Sequence, residues 1–196
     1  MSHQIILASS SVTRKQLMDR FALKYQAISP DIDETPYANE SASELALRLS
    51  IEKVAVVATQ YPDAIVIASD QVAYLENSPQ QFIGKPYSEE IAIQQLQQQS
   101  GKSLHFITGL AVQCLSQNIL KTSFSPFQVK FRDLSESEIL RYIQMDQPLH
   151  CAGSFKCESL GITLFESVHG DDYTALMGLP MIQLSRFLRE FGVNVP

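Results

Sequence analysis

Four consecutive apolar residues, Ile5-Ile6-Leu7-Ala8, open the pattern of the chain and read as a strand buried on both faces. Ser9-Ser10-Ser11 follows, with hydroxyls suited to capping a helix. The spacing predicts that helix over about Val12 to Phe21, with Leu17, Met18 and Phe21 inward. Acidic residues, prolines and other polar groups from Ser29 to Asn39 predict a loop. From Ala42 to about Thr59, Leu45, Leu49 and Val56 recur at helical spacing among Arg48, Glu52 and Lys53. Tyr61-Pro62-Asp63 ends that helix, and Ala64-Ile65-Val66-Ile67-Ala68 is the clearest buried strand, ending at Ser69-Asp70-Gln71.

Gly84-Lys85-Pro86 reads as a loop, and Ser88 starts a helix with Glu89 and Glu90 in its first turn and Ile91, Ile93 and Leu96 inward. The glutamine-rich patch Gln94 to Gln99 is expected on the solvated side of that helix, which Gly101 ends. Leu104 to Leu115 and Lys121 to Phe131 predict two strands joined by a hairpin at Ser116-Gln117-Asn118. Ser135 and Glu138 stand in capping-box spacing at the start of a helix over Leu134 to Met145. Pro180 starts a last helix that ends near Gly192. No period repeats. Strands alternating with helices, plus one hairpin, indicate an α/β fold: a mixed, twisted sheet with flanking helices, in a single domain over residues 1–196.

The chain has 196 residues, of which 45% are hydrophobic and 18% charged, enough for a well-formed core. Net charge is -6 and the pI about 5.2, so the broad positive field that holds a nucleic-acid backbone is missing. A small polyanion remains open as a substrate, because a few cations in a cleft outweigh the average surface. Three cysteines, Cys114, Cys151 and Cys157, form no CxxC pair and predict neither a disulfide framework nor structural zinc. The N-terminus Met1-Ser2-His3-Gln4 lacks the features of a targeting signal, and Ile5 to Ala8 is too short for a membrane span. A cytoplasmic protein without a membrane partner is expected.

Candidate chemistry begins where the first strand gives way to a helix. Unpaired N–H groups there attract phosphate, serine hydroxyls add donors, and Arg14 could fork across phosphate oxygens. Ordinary serine capping explains the same residues. Asp70, after five apolar residues, is placed at the carboxyl end of a buried strand, where open α/β sheets bind ligands. A turn-forming aspartate would look alike. Asp33 and Glu34 could bring a second carboxylate, and carboxylate, phosphate and water oxygens are the set that Mg²⁺ or Mn²⁺ prefers. Lys53 reads singly as a solvated helix residue, whereas Lys85 is flanked by Gly84, which admits a ligand to the backbone, and by the stiffening Pro86. Neighbouring His150 and Cys151 are poorly placed to act as base and nucleophile, and Ser154 lacks the second glycine of a nucleophile elbow. Neither GxxxxGK[ST] nor GxGxxG occurs, which disfavours P-loop and dinucleotide-binding enzymes.

The ordered set of motifs carries more than any one of them. Leu7-Ala8-Ser9-Ser10-Ser11 with Arg14, Asp31-Ile32-Asp33-Glu34-Thr35, Glu52-Lys53, Ser69-Asp70-Gln71 and Gly84-Lys85-Pro86 come first. Thr108-Gly109, His150-Cys151-Ala152-Gly153-Ser154-Phe155 and Gly178-Leu179-Pro180 complete the series. In this order the chain resembles the Maf-like nucleotide pyrophosphatases. The resemblance implies two lobes around a deep cleft, a divalent metal, and hydrolysis of a nucleoside triphosphate between the α and β phosphates. It implies Asp70 as the proton acceptor, Glu34 with Asp70 as metal ligands, and Ser9, Arg14, Lys53 and Lys85 around the phosphates. His150 to Phe165 is similar to the branch acting on 7-methyl-GTP, in which Thr13, Gln71 and Glu158 fall at positions that influence specificity. A carboxylate such as Glu158 can accept from the N1–H and amine of guanine, donors that thymine and uracil do not pair. Thr13 stands where an aromatic could stack on the base, and it cannot stack. The alternatives implied are a dTTP or UTP pyrophosphatase and a nucleotide-binding regulator of cell division. A homodimer is compatible with the resemblance.

Overall fold

Continuous apolar runs in the central strands, and apolar residues at every third or fourth position of the helices, bury both faces of one six-stranded sheet. The computed structural model describes residues 4–195; of the N-terminal stretch read above, Met1-Ser2-His3 lie outside them. The strands β1 (Ile5–Ala8), β2 (Gln26–Ile28), β3 (Ile65–Leu75), β4 (Ser103–Cys114), β5 (Ile119–Phe131) and β6 (Phe165–His169) lie in the order β2-β1-β3-β4-β5-β6. β1 is parallel to β2 and β3, and the pairs from β3 to β6 are antiparallel. Parallel neighbours require crossovers, which α1 (Val12–Asp19) and α2 (Ala42–Gln60) supply. The sheet is mixed and flanked by helices, as the alternation predicts.

α2 covers one face. Ser41 caps it, accepting from the Glu44 N–H at 3.3 Å while Glu44 accepts from the Ser41 N–H at 2.9 Å. Its buried stripe runs Leu45, Leu49, Ser50, Lys53, Val54 and Val57, against Ile6, Ala8, Val66, Ala68 and Val72 of the sheet. The opposite face carries Ile5, Leu7, Ile65, Ile67, Phe106 and Leu110 and is packed by α1, by α3 (Glu89–Gln99), α4 (Glu136–Asp146) and α6 (Met181–Glu190), and by the one-turn α5 (Tyr173–Leu176). Phe106, Phe131, Phe155 and Phe165 meet edge to face, which fixes the segment around Phe155 onto this side.

Several expectations are corrected. Val56 is exposed and Lys53 is buried, because the α2 stripe rotates past Val56 as it follows the twisted sheet. Ile91 is also exposed, and Ala92 and Leu96 face inward. The glutamine patch is not wholly solvated: Gln99 is fully buried, and Gln95 binds Ser154 at 2.5 Å and the Gly84 carbonyl at 3.2 Å. Asp70 does not end its strand, since β3 continues to Leu75.

Candidate active site

The parallel partner of β3 stops before Asp70. β1 pairs with β3 as far as Leu7 against Ile67, and the chain then turns away through Ser9 into α1. On its other side Asp70 lies opposite Gly109 of β4. A Cβ on Gly109 would stand 2.3 Å from the Ala46 carbonyl oxygen and 2.7 Å from Ser50 Oγ. Glycine therefore lets α2 press onto the sheet at this register. The close approach gives the Asp70 N–H, which has lost its strand neighbour, an acceptor in the fully buried Ser50 hydroxyl at 2.9 Å. Ser50 donates in turn to the Ala46 carbonyl at 2.7 Å. One turn further along α2, Lys53 Nζ forms a short ion pair with Asp70 Oδ1.

Lys53 Nζ also reaches Glu34 Oε1 at 2.6 Å. Glu34 lies on a loop whose shape is set locally. Asp33 Oδ1 accepts from the Thr35 N–H at 2.9 Å, and Arg48 donates to the Thr35 carbonyl at 3.1 Å. Asp33 is thereby used within the turn, and Glu34 is the carboxylate that faces Lys53. Burial raises the Glu34 pKa, but the Lys53 hydrogen bond and the charges of Lys53, Lys85 and Arg14 win and hold it below its ordinary 4.5. The pair therefore contributes stability above 4.5 that is lost as pH falls through the depressed value. Glu34→Gln is expected to lower Tm by on the order of 1–2 °C near neutrality, the carboxylate being largely exposed. Melting curves across acidic pH check this: the difference closes as Glu34 protonates, and a difference independent of pH rules out a charge effect.

Two carboxylates from separate elements thus converge on one cation. Among the described residues no group of three or more His, Cys, Asp or Glu could hold a metal ion unaided. A pair of hard oxygen donors fits a divalent ion whose shell is completed by phosphate and water.

Arg14 approaches from α1. Its Nε donates to the Gly178 carbonyl at 2.8 Å, and its terminal nitrogens have no hydrogen-bond partner among the described residues. Burial lowers its pKa, while the charges of Asp70 and Glu34 push it back up, which places all three groups in one electrostatic neighbourhood. An arginine remains cationic at neutrality under such opposed effects. Ser9 is buried and its hydroxyl accepts from the Ser11 N–H at 3.1 Å, while Ser11 accepts from the Arg14 N–H at 3.3 Å and caps α1. Thr13 is half-buried and makes no side-chain hydrogen bond among the described residues.

Gln71 is on the other face of β3 from Asp70. Its amide nitrogen lies 2.9 Å from the Ala175 carbonyl, 3.1 Å from that of Leu176 and 3.0 Å from the Thr108 hydroxyl. Both amide hydrogens are engaged, leaving the Gln71 carbonyl oxygen as its free group. Ser69 Oγ lies 2.6 Å from the Gly109 carbonyl and 2.9 Å from that of Gly178. Gly178 thus receives both Arg14 and Ser69.

Lys85 is exposed on a loop held by Gln95 through Gly84 and by the Tyr87 N–H to the Leu149 carbonyl at 2.9 Å. Its charge acts on Glu34 and on Cys151, and that of Glu158 also acts on Cys151. Glu158 is exposed. The structure accordingly joins Asp70, Lys53 and Glu34 by contact; the charges of Arg14 and Lys85 act on Glu34, and those of Lys85 and Glu158 act on Cys151. Two concavities lie apart from this group. One of about 640 Å³ is lined by Tyr37, Glu40, Arg48 and Glu52, and one of about 350 Å³ by Tyr74, His105 and His169. In the larger, Arg48 is already paired with Glu40 and Glu52 and stacked over Tyr37, so it offers no free cation to an anion. Sequence reasoning missed Ser50. The signal for it was the interior-strand Gly109, which announces a close approach by another element.

This mixed sheet is a known architecture. The chain superposes on the Ham1 protein of Staphylococcus aureus with a TM-score of 0.55 at 14% identity, covering 95% of this chain and 98% of that one. Residues 4–191 match the family model described as Maf-like protein, and the chain belongs to that family. It is 55% identical over 192 residues to the nucleoside triphosphate pyrophosphatase of Acinetobacter baylyi, spanning 98% of this chain and 97% of the relative. It is 49% identical to the 7-methyl-GTP pyrophosphatase of Pseudomonas aeruginosa, spanning 98% of each. Among the described residues no helix is long and apolar enough to cross a membrane.

Proposed function

We propose that the chain is a nucleoside triphosphate pyrophosphatase that hydrolyses 7-methyl-GTP to 7-methyl-GMP and pyrophosphate. The observation that carries the reading is the convergence of Asp70 and Glu34 on Lys53, with the unpartnered fork of Arg14 in the same electrostatic neighbourhood. The names of the relatives at 55% and 49% identity support the reaction and the base respectively.

Asp70 accepts the proton of the attacking water as its oxygen bonds to phosphorus and the bridging oxygen between the α and β phosphates leaves. Arg14, Lys53 and Lys85 offset charge that builds on the phosphate oxygens, where fixed cations act most strongly. Ser9 and the first turn of α1 orient the chain of phosphates by hydrogen bonds. Glu34 and Asp70 would hold a divalent cation, Mg²⁺ or Mn²⁺, which would supply charge neutralisation on phosphate oxygens. At the base, Glu158 accepts from the N1–H and amine of guanine, and Gln71 and Thr13 shape its surroundings.

Pyrophosphate release from 7-methyl-GTP, GTP, dTTP, UTP and CTP, with and without chelator, tests the reading. Release is expected to be fastest with 7-methyl-GTP and to stop with chelator. Preference for dTTP or UTP overturns the base assignment. Tight nucleotide binding without release makes the protein a regulator instead, and release that survives chelation removes the metal.

A further inference from the structure

Glu158 is an exposed carboxylate whose backbone is fastened on both sides. The residue before it, Cys157, gives its carbonyl to the Tyr173 hydroxyl of α5 at 3.1 Å. The residue after it, Ser159, donates its hydroxyl to the buried Asp146 carboxylate at the end of α4, at 2.7 Å. Lys156 is held twice more, its N–H to the Tyr142 hydroxyl at 3.0 Å and its ammonium to the Asp146 carbonyl at 2.5 Å. The turn closes on itself through the N–H groups of Ser159 and Gly161, which both donate to the Lys156 carbonyl. A Cβ on Gly161 would lie 2.4 Å from that oxygen, so the turn admits little beyond glycine there.

The Glu158 side chain itself has a single hydrogen bond among the described residues, a 3.5 Å contact from the Cys157 thiol. A rigid backbone under a largely unengaged carboxylate does not serve solubility, which any mobile surface glutamate provides. It serves aim. The same short helix that holds Cys157 through Tyr173 holds Gln71 through Ala175 and Leu176, so both groups assigned to the base share one support.

We infer that Ser159 and Tyr173 are positioning residues: by pinning the turn between α4 and α5 they set Glu158 toward the base and so determine base discrimination. The inference rests on the reading of Glu158 as the base-facing carboxylate. Neither residue touches the reacting atoms in this scheme, and their loss acts through KM for the preferred base rather than through the chemical step.

Ser159→Ala and Tyr173→Phe each delete one hydroxyl and leave packing in place. Each is expected to lower kcat/KM for the nucleotide that the wild type uses best by about 5-fold, one hydrogen bond's worth. The loss falls on KM, with kcat for the poorer nucleotides unchanged; Tyr173→Phe keeps Tm close to wild type, while Ser159→Ala, which takes the Oδ1 partner from the buried Asp146 carboxylate, lowers it. In a Glu158→Gln background the same changes are expected to cost less than about twofold, because the residue they aim is already altered. Asp146→Asn keeps the oxygen that accepts from Ser159 and retains discrimination, whereas Asp146→Ala loses it. Losses that multiply in full with Glu158→Gln, or a fall in kcat equal for all nucleotides, overturn the positioning role. A Glu158→Gln variant with wild-type discrimination overturns the base-facing role and this inference together. The cycle is read on whichever nucleotide the wild type prefers, so a pyrimidine preference sinks the substrate assignment alone.

Discussion

Asp70→Asn is expected to reduce the rate of pyrophosphate release by about 10²–10⁴-fold, the range that a positioned general base contributes. Asparagine preserves shape but cannot take the proton of water. The fold should survive: the backbone N–H of residue 70 keeps its Ser50 acceptor, β3 keeps its register with β4, and Lys53 keeps Glu34 as a counter-charge. Removing Lys53 instead would strand the largely buried Asp70 charge, which is costly to leave unpaired. Single-turnover rates, together with a thermal melt of the variant, check the prediction. Wild-type turnover in a folded Asp70→Asn protein removes this aspartate from the role of base.

The second large effect belongs to Gly109→Ala. The added methyl would meet the Ala46 carbonyl carbon at 2.6 Å and its oxygen at 2.3 Å, both backbone atoms that no rotamer change can move. Helix α2 must lift from the sheet, at a cost of about 1–3 kcal/mol for an overpacked contact. For a chain of this length that is on the order of 2–12 °C in Tm. Turnover should fall further than stability does, because Ser50 and Lys53 ride on the helix that moves and Asp70 does not. Melting temperature and kcat measured on one preparation decide it. An alanine variant with both values unchanged would mean that the helix has room to spare.

Much of this architecture was legible in the chain. Ile5 to Ala8, the α2 segment, the hairpin and the Ser135–Glu138 cap announce themselves because local pattern and tertiary burial agree there. Three elements did not. β2 has three residues, none fully buried; β6 is partly exposed; and α5 is one turn, so none carries enough period to be seen. β3 appeared to end at Ser69-Asp70-Gln71 because polar residues interrupt an apolar run. Their partners are Gly109 and Gly178, Ser50 with Lys53, and the carbonyls of α5. All are remote in sequence. Lys53 likewise looked solvated because a lysine's burial depends on a counter-charge 17 residues away. The candidate residues could be picked from ordered motifs, but which carboxylate faces which cation is set by the approach of α2 and by the Asp33 turn.

The carbonyl of Gly178 binds Arg14 across 164 residues of chain and Ser69 across 109. A polypeptide leaving the ribosome therefore carries its arginine, lysines and aspartate long before it can align them. Alignment waits for the last tenth of the molecule to emerge and dock, a late step of the kind that slows folding when distant segments must meet. A chain cut short before that glycine would have an arginine with no fixed bearing.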